Sequence, residues 1–97
     1  MATYVLLAKF TDQGVRNVKD TVKRAEAFKA AAKKQKVTVK EFVWTLGTYD
    51  CVLLIDAPDD ETMTALSLSV GMAGNVQTQT MRAFTSPEMK SILGKMG

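Results

Sequence analysis

Apolar and polar residues alternate over residues 3–10. Tyr4, Leu6, Ala8 and Phe10 fall on one side, and Val5, Leu7 and Lys9 on the other. A period of two marks a strand, here apolar on nearly both faces. Thr11-Asp12-Gln13-Gly14 reads as a turn. Over residues 15–35 the period lengthens. Val15, Val18, Val22, Ala25, Phe28 and Ala32 make one helical stripe, with Lys and Arg on the other faces. Thr21, after Asp20, is placed to cap a fresh start, so the pattern predicts a short helical piece and then a longer one.

Residues 37–46 return to a period of two, with a slip. Val37 and Val39 share one phase, whereas Phe42, Trp44 and Leu46 have the other. A slip of one residue flips every later side chain, and a β-bulge near Lys40-Glu41 repairs it. Gly47-Thr48 predicts a short antiparallel hairpin into a third strand, Tyr49 to Ala57. That strand is apolar on both faces, so it needs cover on both. Pro58-Asp59-Asp60-Glu61 opens a second helix with Asp59 as N-cap, and the acids suit the positive end of the helix dipole. Met63, Leu66, Val70 and Ala73 form its inward stripe, and Gly71 and Gly74 mark its exit. Residues 75–84 read as a fourth strand: Val76, Thr78, Thr80, Arg82 and Phe84 face one way, Gln77, Gln79, Met81 and Ala83 the other. Ser86-Pro87-Glu88 predicts a last helix with Ser86 as cap and Pro87 at its first position. Met89, Ile92, Leu93 and Met96 give it one greasy side.

The order strand, helix, strand, strand, helix, strand, plus a tail helix, is the split βαβ arrangement. The expected fold is α+β: a ferredoxin-like βαββαβ domain with a four-stranded antiparallel sheet and a C-terminal helix. Right-handed crossovers put both helices on one face and the first and third strands in the centre. The other face stays bare within one chain. A bare apolar face of that size predicts two subunits packed sheet to sheet, as a dimeric α/β barrel.

Length changes the picture only by limiting it. The chain's 97 residues make one domain, 1–97, of a size to which pairing is a natural supplement. The lone cysteine, Cys51, sits in the apolar third strand and reads as a small buried hydrophobe. No stretch approaches a membrane span, and the N-terminus lacks a secretory pattern, which leads to the expectation of a cytoplasmic protein. Charge is uneven. Residues Arg16 to Lys40 carry nine Lys or Arg against Asp20 and Glu26, whereas the remainder carries four bases and eight acids. One face is therefore basic, either as a solvated helix face or as a surface for an anionic partner.

Several chemistries fall away. The chain has no His, the commonest general base and metal or haem ligand. Gly71-Met72-Ala73-Gly74 lacks the Lys-Ser/Thr of a phosphate loop. The carboxylates at 59–61 are explained by capping, so no metal and no cofactor are expected. Tyr4, Phe10 and Tyr49 are conceivable stacking platforms for RNA, but no Lys/Arg-Gly-aromatic run accompanies them and the basic excess lies on the helix side, which argues against nucleic acid. A polar set remains as a candidate ligand site: Lys9, Tyr49, Asp50, Asn75, Thr78 and Arg82, with Trp44 as a possible cavity wall. In one reading Arg82 or Lys9 holds an anion while Tyr49 stacks or donates a hydrogen bond. In the other, Asp50 pairs with Lys9 or Arg82, Tyr49 packs at a dimer seam, and Trp44 fills the core or the subunit contact.

The stretch Gly47-Thr48-Tyr49-Asp50 with its apolar strand, Ala57-Pro58-Asp59-Asp60-Glu61, Gly74-Asn75-Val76 and Arg82-Ala83-Phe84-Thr85 resembles the GYD domain family. So does the opening Tyr4-Val5-Leu6-Leu7-Ala8-Lys9-Phe10-Thr11. The resemblance spans nearly the whole chain. It implies a dimeric α/β-barrel fold and a small bacterial or archaeal protein, and it implies no activity. One departure lies at Asp20-Thr21, where similar proteins often carry a proline. The resulting expectation is a homodimeric binding or accessory protein, open to higher assembly through the tail helix, with a small molecule held between sheet and helices. The alternative is a small dimeric-barrel enzyme of the isomerase or cofactor-free oxygenase type, for which Asp50 is the one candidate acid or base.

Overall fold

The computed structural model describes residues 1–97. Four strands, β1 (Ala2–Phe10), β2 (Thr38–Trp44), β3 (Cys51–Ala57) and β4 (Val76–Ala83), form one antiparallel sheet in the order β2-β3-β1-β4. The two most apolar strands, β1 and β3, are central, as their two-sided apolar pattern requires. Helices α1 (Asp12–Arg16), α2 (Thr21–Lys34), α3 (Asp60–Met72) and α4 (Ser86–Gly94) complete an α+β architecture.

Strand parity fixes the faces. Tyr4, Leu6 and Ala8 of β1 and Cys51, Leu53, Ile55 and Ala57 of β3 are buried beneath α2 and α3 and join Ala32, Val37, Met63 and Leu66 in one core. Ile55 and Met63 are its largest fully enclosed side chains, each stabilising the fold by about 1.5–3 kcal/mol relative to exposure. Val5, Leu7, Val52, Leu54, Val43 and Met81 occupy the opposite face, where they are half-buried or exposed. No helix packs on that face, and only the Tyr49 side chain crosses one end of it.

The bulge falls where the pattern places it, with the register shifting between Val39 and Glu41. Phe42 and Trp44 thereby return to the helix side, with ring centroids 4.8 Å apart. The helical region breaks as expected, without a proline: a 3₁₀ turn, Val18–Asp20, separates α1 from α2.

Other local expectations need correction. The segment 11–14 is no free turn. Thr11 caps α1, its hydroxyl accepting from the Gly14 N–H. Thr21 is not the cap of α2. Asp20 holds that position without a side-chain bond, and the Thr21 hydroxyl accepts from Trp44 instead. Of the predicted stripe, Val15, Val18 and Val22 are exposed, whereas Ala25 and Ala32 are buried. The β2–β3 link is a loop over residues 45–50, closed by the Thr45 N–H on the Asp50 carbonyl at 2.8 Å, and not a two-residue turn. The last helix is capped by Thr85, not Ser86, in a reciprocal box with Glu88. Asp59 caps α3 as expected, accepting from the Thr62 N–H at 2.7 Å.

Candidate functional site

Two regions compete for the site: the polar cluster singled out by sequence, and a pocket between helices and sheet.

The loop before β3 places the first. Gly47 adopts φ +134°, a conformation that a side chain would strain. The Thr45 hydroxyl donates to the Tyr49 carbonyl at 2.6 Å. The Tyr49 side chain then reaches over β1, and its hydroxyl donates to Gln79 Oε1 of β4 at 2.7 Å. Asp50 makes two contacts with the end of β1. Its N–H donates to the Ala8 carbonyl and its carboxylate accepts from the Phe10 N–H, each at 2.8 Å. The carboxylate thus replaces a missing ladder partner, and it pairs with neither Lys9 nor Arg82.

Asn75 belongs to the same end of the sheet. Its carbonyl accepts from the Thr11 N–H at 3.1 Å, and its side-chain oxygen accepts from Gln13 Nε2 at 3.1 Å. Gly14 lies so close that a Cβ there would stand 2.0 Å from the Asn75 carbonyl oxygen. Lys9 extends from the bare sheet face opposite Gln77 and forms no ion pair. Thr78 pairs with Ala8 on the helix side. Lys9, Tyr49, Asp50 and Asn75 are therefore neighbours at one end.

Arg82 stands apart. It pairs with Tyr4, five positions along β4 from Gln77, or about 16 Å at strand rise. Its guanidinium lies 5.6 Å from the Tyr4 ring centroid and 4.7 Å from that of Phe84. It donates to the Thr3 carbonyl at 3.1 Å and lies 3.7 Å from the Glu88 carboxylate. The Tyr4 hydroxyl donates to Asp60. Burial, reinforced by that bond and by the Asp60 charge, pushes the Tyr4 phenol up to about 12. Arg82 accordingly knits β1, β4 and the start of α4.

The second region arises from how the helices sit. Helix α2 leans on β2 and α3 on β4, and the two barely touch each other. The gap between them, over the central strands, is a pocket of about 350 Å³ floored by Leu6, Ala8, Cys51 and Leu53. Of its 18 lining residues, 14 are hydrophobic, and the one charged member is Arg24. Arg24 Nη1 donates to the Asn17 carbonyl at 2.7 Å, while Nη2 is shut off from solvent with no hydrogen-bond partner. An unpaired buried donor costs about 1–3 kcal/mol, and more when charged. Thr21, one turn before Arg24, also lines the pocket. Trp44 sits at its rim, donating through Nε1 to Thr21 at 3.0 Å and packing on Phe42, which lines the wall. Desolvation, then the Asp50 charge, pushes the Cys51 thiol up to about 11 against the opposing pull of Arg24, so the thiol stays protonated at neutral pH.

Of the seven residues suggested by sequence, Asn75 alone lines this pocket. Arg24 was missed. Its signal was a single arginine on the flank of an otherwise apolar stripe, hidden among eight other bases between residues 16 and 40. No group of three His, Cys, Asp or Glu side chains converges as a metal site, and no helix is long and apolar enough to cross a membrane.

Sheet, helices and pocket together define a small α+β domain with one bare sheet face. The GYD domain family model matches residues 4–93, and the chain belongs to that family. Comparison with curated proteins and with solved structures gives no match.

Proposed function

We propose that this GYD domain protein is a homodimeric binding or accessory protein, a single domain over 1–97, that holds a small molecule between its helices and its sheet. The observation that carries this is the 350 Å³ pocket, within the range of about 300–1,000 Å³ typical of ligand sites and lined mainly by apolar groups. The strand order β2-β3-β1-β4 supports a ferredoxin-like protomer. The bare face, apolar at its centre and bordered by Lys9, Glu41 and Gln77, supports sheet-to-sheet pairing into an α/β barrel. Met89, Leu93 and Met96 of α4 are exposed as well, which leaves room for larger assemblies.

Binding is favoured over turnover. The pocket lining holds no carboxylate, and Asp50 is engaged by backbone outside it. Native mass spectrometry on protein purified without added ligand, beside the denatured sample, tests the reading. A dimer with retained mass is the expected result. A monomer overturns the pairing, and a dimer of bare chains moves weight to an accessory role.

A further inference from the structure

We infer that the pocket takes an uncharged, wholly apolar molecule the size of a bicyclic hydrocarbon, recognised by shape alone; this rests on the pocket reading above. The first support is where the polar groups of the lining are engaged. Only Thr21, Arg24, Ser69 and Asn75 are hydrophilic there. The Thr21 oxygen accepts from the Trp44 indole. Arg24 Nη1 donates to the Asn17 carbonyl, outside the lining, and Nη2 is closed off. The Ser69 hydroxyl donates to the Ala65 carbonyl of its own helix at 3.0 Å. The Asn75 side-chain oxygen accepts from Gln13. What these residues turn to the pocket is almost wholly carbon. The Cys51 thiol in the floor is protonated and therefore neutral. A carboxylate, ammonium or hydroxyl group entering here would lose its water and gain no partner.

The second support is size. A dry apolar cavity of about 150 Å³ holds one benzene. This pocket, at about 350 Å³, is a little more than twice as large, room for roughly ten to fourteen carbon atoms. Phe10, Phe28 and Phe42 stand in the lining, and their rings favour an aromatic guest packed edge to face or offset. The gap between the helices also gives entry. Ala27 and Ala31, one turn apart on α2, line the pocket and are exposed, so only methyl groups flank the opening on that side.

The test is a methyl-resolved NMR titration of the full-length chain with naphthalene and with sodium 1-naphthoate, which share a body and differ by a charged head. Naphthalene is expected to shift the methyls of Leu6, Leu53, Leu66 and Val70 in the pocket. Leu7, Val52 and Leu54, on the bare sheet face, are expected to stay unmoved. Naphthalene is expected to bind at least tenfold more tightly than naphthoate, and Ala31→Phe, which crowds the gap, to weaken it at least tenfold. Naphthoate bound at the pocket methyls as tightly as naphthalene overturns the apolar assignment and leaves the pocket standing. Naphthalene shifts confined to the sheet face, or no shift with either compound, overturn both this inference and the pocket reading. Undiminished naphthalene affinity in a folded Ala31→Phe protein does the same. Should that variant fail to fold, as judged by circular dichroism, the wild-type shifts and the ratio of the two affinities still decide.

Discussion

The Asp50 carboxylate accepts the Phe10 N–H at 2.8 Å, and so a side chain of the β2–β3 loop completes the hydrogen bonding of β1. The bond is partly buried and charge-assisted. Asp50→Ala is therefore expected to destabilise the fold by about 1.5–3 kcal/mol, and Asp50→Asn, which keeps an acceptor oxygen, by less. Urea unfolding of the three proteins checks the order. An Asp50→Ala protein as stable as wild type would refute this role.

The glycines at 14 and 71 are expected to respond with opposite sign. A Cβ at Gly14 meets backbone at 2.0 Å, so Gly14→Ala must displace the turn before β4 and should cost about 1–3 kcal/mol. Gly71 lies in α3 with open space around it, and Gly71→Ala should stabilise by about 0.8–1 kcal/mol. Thermal midpoints moving apart in this way are the readout.

Alkaline pH should destabilise the protein through two groups in turn. The folded Cys51 thiol is raised from 9.0 to about 11 and the Tyr4 phenol from 10.0 to about 12. A raised folded pKa means that the folded state holds the proton more tightly. Its stabilisation is complete below the unfolded value and lost as pH rises through the folded one. Stability should thus decline from about pH 9 to 12, with Cys51→Ala flattening the lower part and Tyr4→Phe the upper. At the acid end, hydrogen bonds from Thr62 hold Asp59 below its usual value and bonds from Thr85 do the same for Glu88. Their contributions should fade as pH drops below about 4.

A charge on the bare sheet face should separate the proposed dimer. Val52 lies mid-strand on that face, beside Leu7 and Val43. Val52→Lys is expected to halve the mass seen by light scattering while the far-ultraviolet circular dichroism is unchanged. An unaltered mass would place the subunit contact elsewhere.

The sequence made the fold legible wherever periodicity and burial agree. The alternating Tyr4, Leu6 and Ala8 and the doubly apolar β3 announced two central strands, and the slip between Val39 and Phe42 announced the bulge. Helix starts were less legible because several residues compete for one cap. At 85–88 the Thr-x-x-Glu spacing outranks the serine beside it, since Glu88 returns the bond. At the site, Tyr49, Asp50 and Asn75 of the candidate polar set do lie together, but their polarity is consumed by backbone and by Gln79 and Gln13. Arg82 could not be separated from them without a register, because chain order does not say which end of β4 meets Lys9. Arg24 escaped notice for a different reason: an arginine's neighbours depend on how far apart two helices settle, and no periodicity records that gap.

The bulge at Lys40 gives β2 one spare residue. A chain lacking Lys40 would still pair Val39 with Ile55 and Glu41 with Leu54, and both faces of the strand would read as before. A chain that kept Lys40 but ran it through the ladder would turn the Glu41 carboxylate under the helices and Phe42 away from them. The composition of this edge strand thus matters less than its count.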